Sequence, residues 1–209
     1  MQTRMTAKAA SLSFALLCGF AAVTSARAAP VSHTGTFAVD NELRFFTSLN
    51  ITSATGGTIG ARTFSYSGGL NAAGNSIAAG GFAPVLSLFN GMGDLVFGDV
   101  GSSHACGGPS FCWDAFFSFG VVAAGSYTLV LSQDDNNSLG SLAAGFSKDG
   151  DPNYFNGFLG YDGQRTGNWA LDIDITNNSV PSSVPEPAGL ALVTTALGAL
   201  ATICRRRRA

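Results

Sequence analysis

Residues 169–175 alternate between apolar and acidic: Leu171, Ile173 and Ile175 fall on one side, Asp172 and Asp174 on the other. A period of two is the repeat of a β-strand, and one apolar and one charged face describe a strand half in a core and half in water. No stretch of the chain between residues 30 and 180 carries the apolar spacing of an amphipathic helix of any length. The other candidates are strands too. They are Gly35 to Val39; Glu42 to Leu49, with Leu43, Phe45 and Leu49 on one face; and Thr58 to Tyr66, with Ile59, Ala61, Thr63 and Ser65 opposing Arg62, Phe64 and Tyr66. Pro84 to Phe89 is almost wholly apolar, as a strand inside a sandwich would be. Asp94 to Phe97 follows it through Gly91 and Gly93 as a hairpin, and Ala115 to Val122 and Ser126 to Ser132 flank Ala123-Ala124-Gly125 as another. Eight or so short strands with glycine-rich turns predict one all-β domain over residues 30–176, a single jelly-roll-like β-sandwich. Residues 177–183 read as a Ser- and Pro-containing linker.

Both ends of the chain have a different grammar. Arg4 and Lys8 precede the apolar stretch Ala9 to Val23, and Ala26-Arg27-Ala28 is a small-x-small cleavage pattern. That is a secretory signal peptide over residues 1–29, cut after Ala28 or Ala29. Cys18 follows Leu17, so the small residue that precedes a lipid-modified cysteine is missing. At the other end, Val184-Pro185-Glu186-Pro187 leads into Ala188 to Cys204, which holds no charge, and then Arg205, Arg206, Arg207 and Arg208. As a helix, residues 188–204 would be about 25 Å long at a rise of roughly 1.5 Å per residue. That is the lower limit for a bilayer core of about 30 Å. The four arginines would stay on the cytoplasmic side and leave the body outside.

The tail, residues 184–209, resembles the PEP-CTERM sorting signal of Gram-negative bacteria: Val184 to Pro187 as motif, residues 188–204 as transmembrane helix, Arg205 to Arg208 as basic stop. The resemblance implies a partner, the membrane transpeptidase exosortase. It also implies a precursor anchored in the bacterial inner membrane and later release to the cell envelope or an extracellular polysaccharide matrix. Three runs of the body, Gly80 to Phe89, Ala124 to Leu129 and Thr166 to Ile173, resemble a family of small PEP-CTERM exoproteins similar to the bacterial pre-peptidase C-terminal sandwich domain. That family pattern has an aspartate where this chain has Ala83 and a fuller acidic pair near Asp99, which weakens any cation site there.

Charge narrows the partners. Three of the 11 basic residues lie in the leader and four in the tail, leaving Arg44, Arg62, Lys148 and Arg165 against 13 acidic residues between Asp40 and Glu186. The body is thus near −9 although the whole chain is −2. Four scattered cations make no clustered basic face, which excludes nucleic acid as a partner. Of the four cysteines, only Cys106 and Cys112 belong to the body. In an oxidising compartment two cysteines six apart are most simply a disulfide. Zinc would need more ligands than His104 beside them supplies.

Asp149-Gly150-Asp151-Pro152-Asn153 has ligand types at positions 1, 3 and 5 of a calcium loop, but Tyr154 and Gly160 stand where such a loop wants glycine and glutamate. The plainer reading is a solvated turn. Asp134, Asp135, Asn136 and Asn137 form a second oxygen-rich turn, and Ca²⁺ could bridge the two if they met at one edge of the sandwich. No other cofactor is expected. For catalysis the body offers His33 and His104, no Gly-x-Ser-x-Gly elbow and no singled-out carboxylate pair. Tyr66, Phe82, Trp113, Phe155, Phe158, Tyr161 and Trp169 are core candidates first and sugar platforms second, with Phe111 and Trp113 the best placed for exposure. The expectation is an exported, non-enzymatic envelope or matrix protein. The alternatives are a carbohydrate- or Ca²⁺-binding adhesion module and, behind it, a small hydrolase.

Overall fold

The structure, a computed structural model, describes residues 28–100, 112–160 and 163–178. Among them the chain forms strands and no helix, in the order β1 (Val31–Thr36), β2 (Arg44–Ile51), β3 (Gly57–Thr63), β4 (Gly69–Leu70), β5 (Ser76–Ile77), β6 (Pro84–Phe89), β7 (Leu95–Val100), β8 (Phe116–Val122), β9 (Gly125–Gln133), β10 (Phe158–Gly160), β11 (Gly163–Arg165) and β12 (Asn168–Asn177). The leader up to Arg27, Cys106, residues 179–183 of the expected linker and the whole tail from Val184 to Arg208 lie outside the described residues, and the linker's expected first residue, Asn177, is instead the last of β12, which pairs it with Gly57.

Eight of the strands make two four-stranded sheets, ordered β1-β12-β3-β8 and β2-β9-β6-β7. Every pairing within them is antiparallel. Two small hairpins, β4–β5 and β10–β11, are additional. One core joins the sheets: Ile59, Ala61, Phe117, Leu171 and Ile173 from the first, with Phe46, Leu49, Leu86, Leu88, Leu129 and Leu131 from the second. Burying these side chains is the main favourable contribution, at roughly 1.5–3 kcal/mol for each fully buried large one.

β12 behaves as its alternation says. Leu171 and Ile173 are buried, while Asp172 and Asp174 are partly exposed. β6 is buried at all six positions because both its faces are covered. Leu86 and Leu88 enter the main core, and Phe89 joins Val130 and Phe146 in a second, smaller one. The β6–β7 hairpin also forms as expected. Asn90 Oδ1 accepts from Met92 N at 2.9 Å and from Asp94 N at 3.0 Å, and Gly93 takes the positive φ of 85° that the turn requires.

Several expectations change. The strand expected over Thr58 to Tyr66 ends at Thr63, and Phe64 and Tyr66 are buried beyond it. The first strand begins at Val31 rather than Gly35. In β2, Phe45 is 47 % exposed, whereas Phe46 and Leu49 are buried. The cause is a bulge. Phe46 pairs with Leu129 and Leu49 with Tyr127, so three steps on β2 match two on β9 and the facing phase flips between them. Finally, β8 and β9 are not a hairpin. They belong to different sheets, and residues 123–124 carry the chain across the core. The Tyr127 hydroxyl donates to the Ala123 carbonyl at 2.9 Å and fixes that crossing.

Candidate functional site

β9 ends at Gln133, and the turn of Asp134 to Asn137 begins there; Asp135 has a φ of 69°, a region that aspartate and asparagine tolerate better than most residues. Asn136 is fully buried and ties three segments together. Its Nδ2 donates to Asn41 O at 3.2 Å, its Oδ1 accepts from Lys148 N at 3.0 Å, and its carbonyl accepts from Ser132 Oγ at 2.8 Å. Asn41 Nδ2 in turn donates to Lys148 O at 3.2 Å. The 145–154 segment is laced to the same turn. Ser147 Oγ donates to Asp135 O at 2.5 Å, Ser147 N to Asn137 O at 2.9 Å, and Tyr154 Oη to Asp134 O at 2.9 Å.

The two oxygen-rich turns therefore meet at one end of the sheets. Their side chains are turned to local work. Asp149 Oδ2 accepts from Phe146 N at 2.8 Å, and Asp134 Oδ1 accepts from Asp135 N at 3.0 Å. Asp151 is exposed, and Asn153 donates through Nδ2 to Asn156 Oδ1 at 3.4 Å. Among the described residues no three His, Cys, Asp or Glu side chains converge in a way that could hold a metal ion.

Two buried groups at this corner were not singled out by sequence. Asp40 is 1 % exposed and accepts from Phe155 N through Oδ2 at 2.8 Å. Gln133 is fully buried at the strand end. A lone aspartate in Val39-Asp40-Asn41-Glu42 and a glutamine ending an apolar strand carry no motif, so only their contacts reveal them. The corner is negative. Burial pushes the Asp134 carboxyl above its ordinary range; the hydrogen bond from the Asp135 amide works against that, and the Asp135 charge adds a smaller push upward. Burial likewise pushes the Tyr154 phenol up, followed by the charges of Asp40, Asp135 and Asp134. Lys148 Nζ sits 5.1 Å from the centre of the Tyr154 ring, a cation–π contact.

The second locus is Cys112, 1 % exposed and held in a disulfide. Its expected partner, Cys106, lies outside the described residues, as do His104, Phe111 and Tyr161. Beside it Asp114, 4 % exposed, gathers the end of β3. Oδ1 accepts from Thr63 Oγ1 at 2.9 Å and Tyr66 N at 3.0 Å, and Oδ2 accepts from Ser67 N at 2.8 Å. Ser67 Oγ donates to Cys112 Sγ at 3.3 Å. The Arg165 guanidinium lies 3.6 Å from the centre of the Tyr66 ring.

The sugar-platform candidates divide. Phe82, Tyr66 and Trp169 are buried, while Trp113, Phe155 and Phe158 are half-buried. A groove of about 330 Å³ is lined by Thr34, Thr36, Ser65, Ser76 and Asn168. Some of its polar groups already serve each other, as Thr36 Oγ1 donates to Asn168 Oδ1 at 2.8 Å. His33 packs its ring 4.9 Å from that of Phe46. Comparison with protein-family models, with curated proteins and with solved structures found no match.

Proposed function

We propose that this is an exported, non-enzymatic cell-envelope or extracellular-matrix protein, sorted by a PEP-CTERM signal and processed by exosortase. One observation carries the reading: Val184-Pro185-Glu186-Pro187, an uncharged span of seventeen residues and Arg205 to Arg208 stand in that order at the end of a chain that opens with a secretory leader. Residues 188–204, uncharged and followed at once by four arginines, are the proposed anchor. The proposed partners are exosortase, the bacterial inner membrane and extracellular polysaccharide. The body is read as a jelly roll. The strand orders support this: with the eight main strands counted in sequence, they run first-eighth-third-sixth and second-seventh-fourth-fifth, the double Greek-key arrangement.

Replacing Pro185, Glu186 and Pro187 by alanine tests the sorting step. The variant should accumulate as a membrane-held precursor, read by fractionation and by the mass of the chain. Processing like that of the unaltered protein would sink the proposal. A second reading, a Ca²⁺-binding adhesion module, is favoured by the meeting of the Asp134 and Asp149 turns at one corner.

A further inference from the structure

A carboxylate that is 99 % buried needs both its oxygens matched, because an uncompensated buried charge is among the costliest things a fold can hold. Asp40 is 1 % exposed, and only Oδ2 is matched, by Phe155 N. Its Oδ1 is buried without a hydrogen-bond partner. Gln133, fully buried, has neither Oε1 nor Nε2 in a well-formed hydrogen bond, its amide reaching no closer partner than the Tyr154 phenol, and Asn137 Oδ1 in the following turn is a third oxygen buried without a partner.

Asp40 and Gln133 both border the Tyr154–Phe155 pair. Phe155, whose amide donates to Asp40, sets its ring 4.6 Å from that of Tyr154 at a tilt of 39°. The Tyr154 hydroxyl donates to the carbonyl of Asp134, the residue after Gln133. The phenol feels both the Asp40 charge and the Gln133 amide. Asp134 and Asp135 add negative charge from the rim.

We propose that Asp40 and Gln133 are the anchoring ligands of a hard-cation site, suited to Ca²⁺, closed on one side by Tyr154. Hard cations take carboxylate, amide and carbonyl oxygens together, and Ca²⁺ tolerates the irregular geometry that such a mixed set gives, whereas Mg²⁺ demands a near-ideal octahedron. One full carboxylate among neutral oxygens places the site with weak extracellular modules, at dissociation constants of about 10⁻⁴–10⁻³ M. The site differs from the Asp149-Gly150-Asp151 turn, whose carboxylates are exposed or engaged elsewhere. It stands independently of the sorting reading.

The test uses the full-length chain in detergent micelles. Millimolar Ca²⁺ should raise the unfolding midpoint by about 2–5 °C over a chelator control, with a smaller rise for Mg²⁺. Asp40→Asn should melt at or above the unaltered protein in chelator and below it in Ca²⁺, because the substitution removes the uncompensated charge and the ligand together. Gln133→Leu should also abolish the Ca²⁺ response and serves if Asp40→Asn does not fold. Terbium should luminesce on excitation of tyrosine, and Tyr154→Phe should cut that emission while keeping the Ca²⁺ shift. Absence of both the Ca²⁺ shift and terbium emission would overturn the proposal. So would a Ca²⁺ shift that survives Asp40→Asn and Gln133→Leu but is lost in Asp149→Asn/Asp151→Asn.

Discussion

Gly35 lies against the Trp169 indole with no room for a side chain: a Cβ there would sit 2.3 Å from Trp169 Cζ2 and 2.6 Å from Cε2. The two residues are partners across β1 and β12. The indole takes the space that a larger residue at 35 would fill and reaches Phe37 and Phe46, with ring centres 6.1 and 6.0 Å away.

Gly35→Ala should therefore destabilise the domain by about 1–3 kcal/mol, the usual cost of overpacking a filled core. Urea unfolding of the single variant and of Gly35→Ala/Trp169→Leu checks it. The alanine should cost less once the indole is gone, and strictly additive effects would contradict the packing account.

Asp114 accepts three hydrogen bonds from the β3 end, and two of the donors are backbone amides of residues 66 and 67. Asparagine keeps the shape but offers a single acceptor oxygen. Asp114→Asn should cost at least about 2 kcal/mol, because a buried donor left unmatched loses its full desolvation energy. Equilibrium unfolding at neutral pH measures this, and a loss too small to resolve would show that the cluster tolerates an amide.

Tyr154 gives a pH dependence with a definite sign. Its folded phenol titrates above the ordinary value of 10.0 that it has when unfolded. The contribution to stability is thus fully present below pH 10 and is lost as pH rises through the interval up to the folded value, where the unfolded chain alone has released the proton. Unfolding free energies from neutral to strongly alkaline pH should fall less steeply for Tyr154→Phe than for the unaltered chain. Equal slopes would remove the phenol from the account.

The Cys112 disulfide should map to Cys106, the other cysteine of the body. Closing so short a loop restricts the unfolded chain by about 2–3 kcal/mol. Non-reducing peptide mapping should recover the two as one cross-linked peptide, and reduction should lower the unfolding midpoint. Recovery of Cys112 linked to any other cysteine would refute the pairing.

The fold was legible where local chemistry decides it. Leu171 and Ile173 alternate with aspartates because one face of β12 is buried and the other partly wet, and Pro84 to Phe89 reads apolar because β6 is covered on both faces. What stayed hidden depends on distant partners. Phe45 and Phe46 are equally apolar, and only the bulge opposite β9 decides which one turns inward. Residues 123–125 look like a hairpin turn, yet β8 pairs with β3 and β9 with β2 and β6, all more than thirty residues away along the chain. The same holds at the candidate site. The two acidic turns are visible in sequence, but Asp40 joins them only through Phe155, 115 residues on.

The place of β12 has a mechanical consequence. It lies between β1, which it pairs over Asn168 to Ile173, and β3, which it pairs over Leu171 to Asn177, and it is the last strand before the proposed anchor. If the body is tethered through residues 177–209, tension from the membrane enters the sheet at Asn177 and runs along β12. An edge strand pulled from its end can peel away one hydrogen bond at a time. β12 is paired with β3 alone from Asn177 back to Asp174 and meets β1 as a second neighbour only from Ile173 inward, so a pull loads the β3 ladder first and reaches a doubly held stretch at Leu171 to Ile173. The tether would thus pull first on a singly held end, with the doubly held part of the strand behind it as the stop.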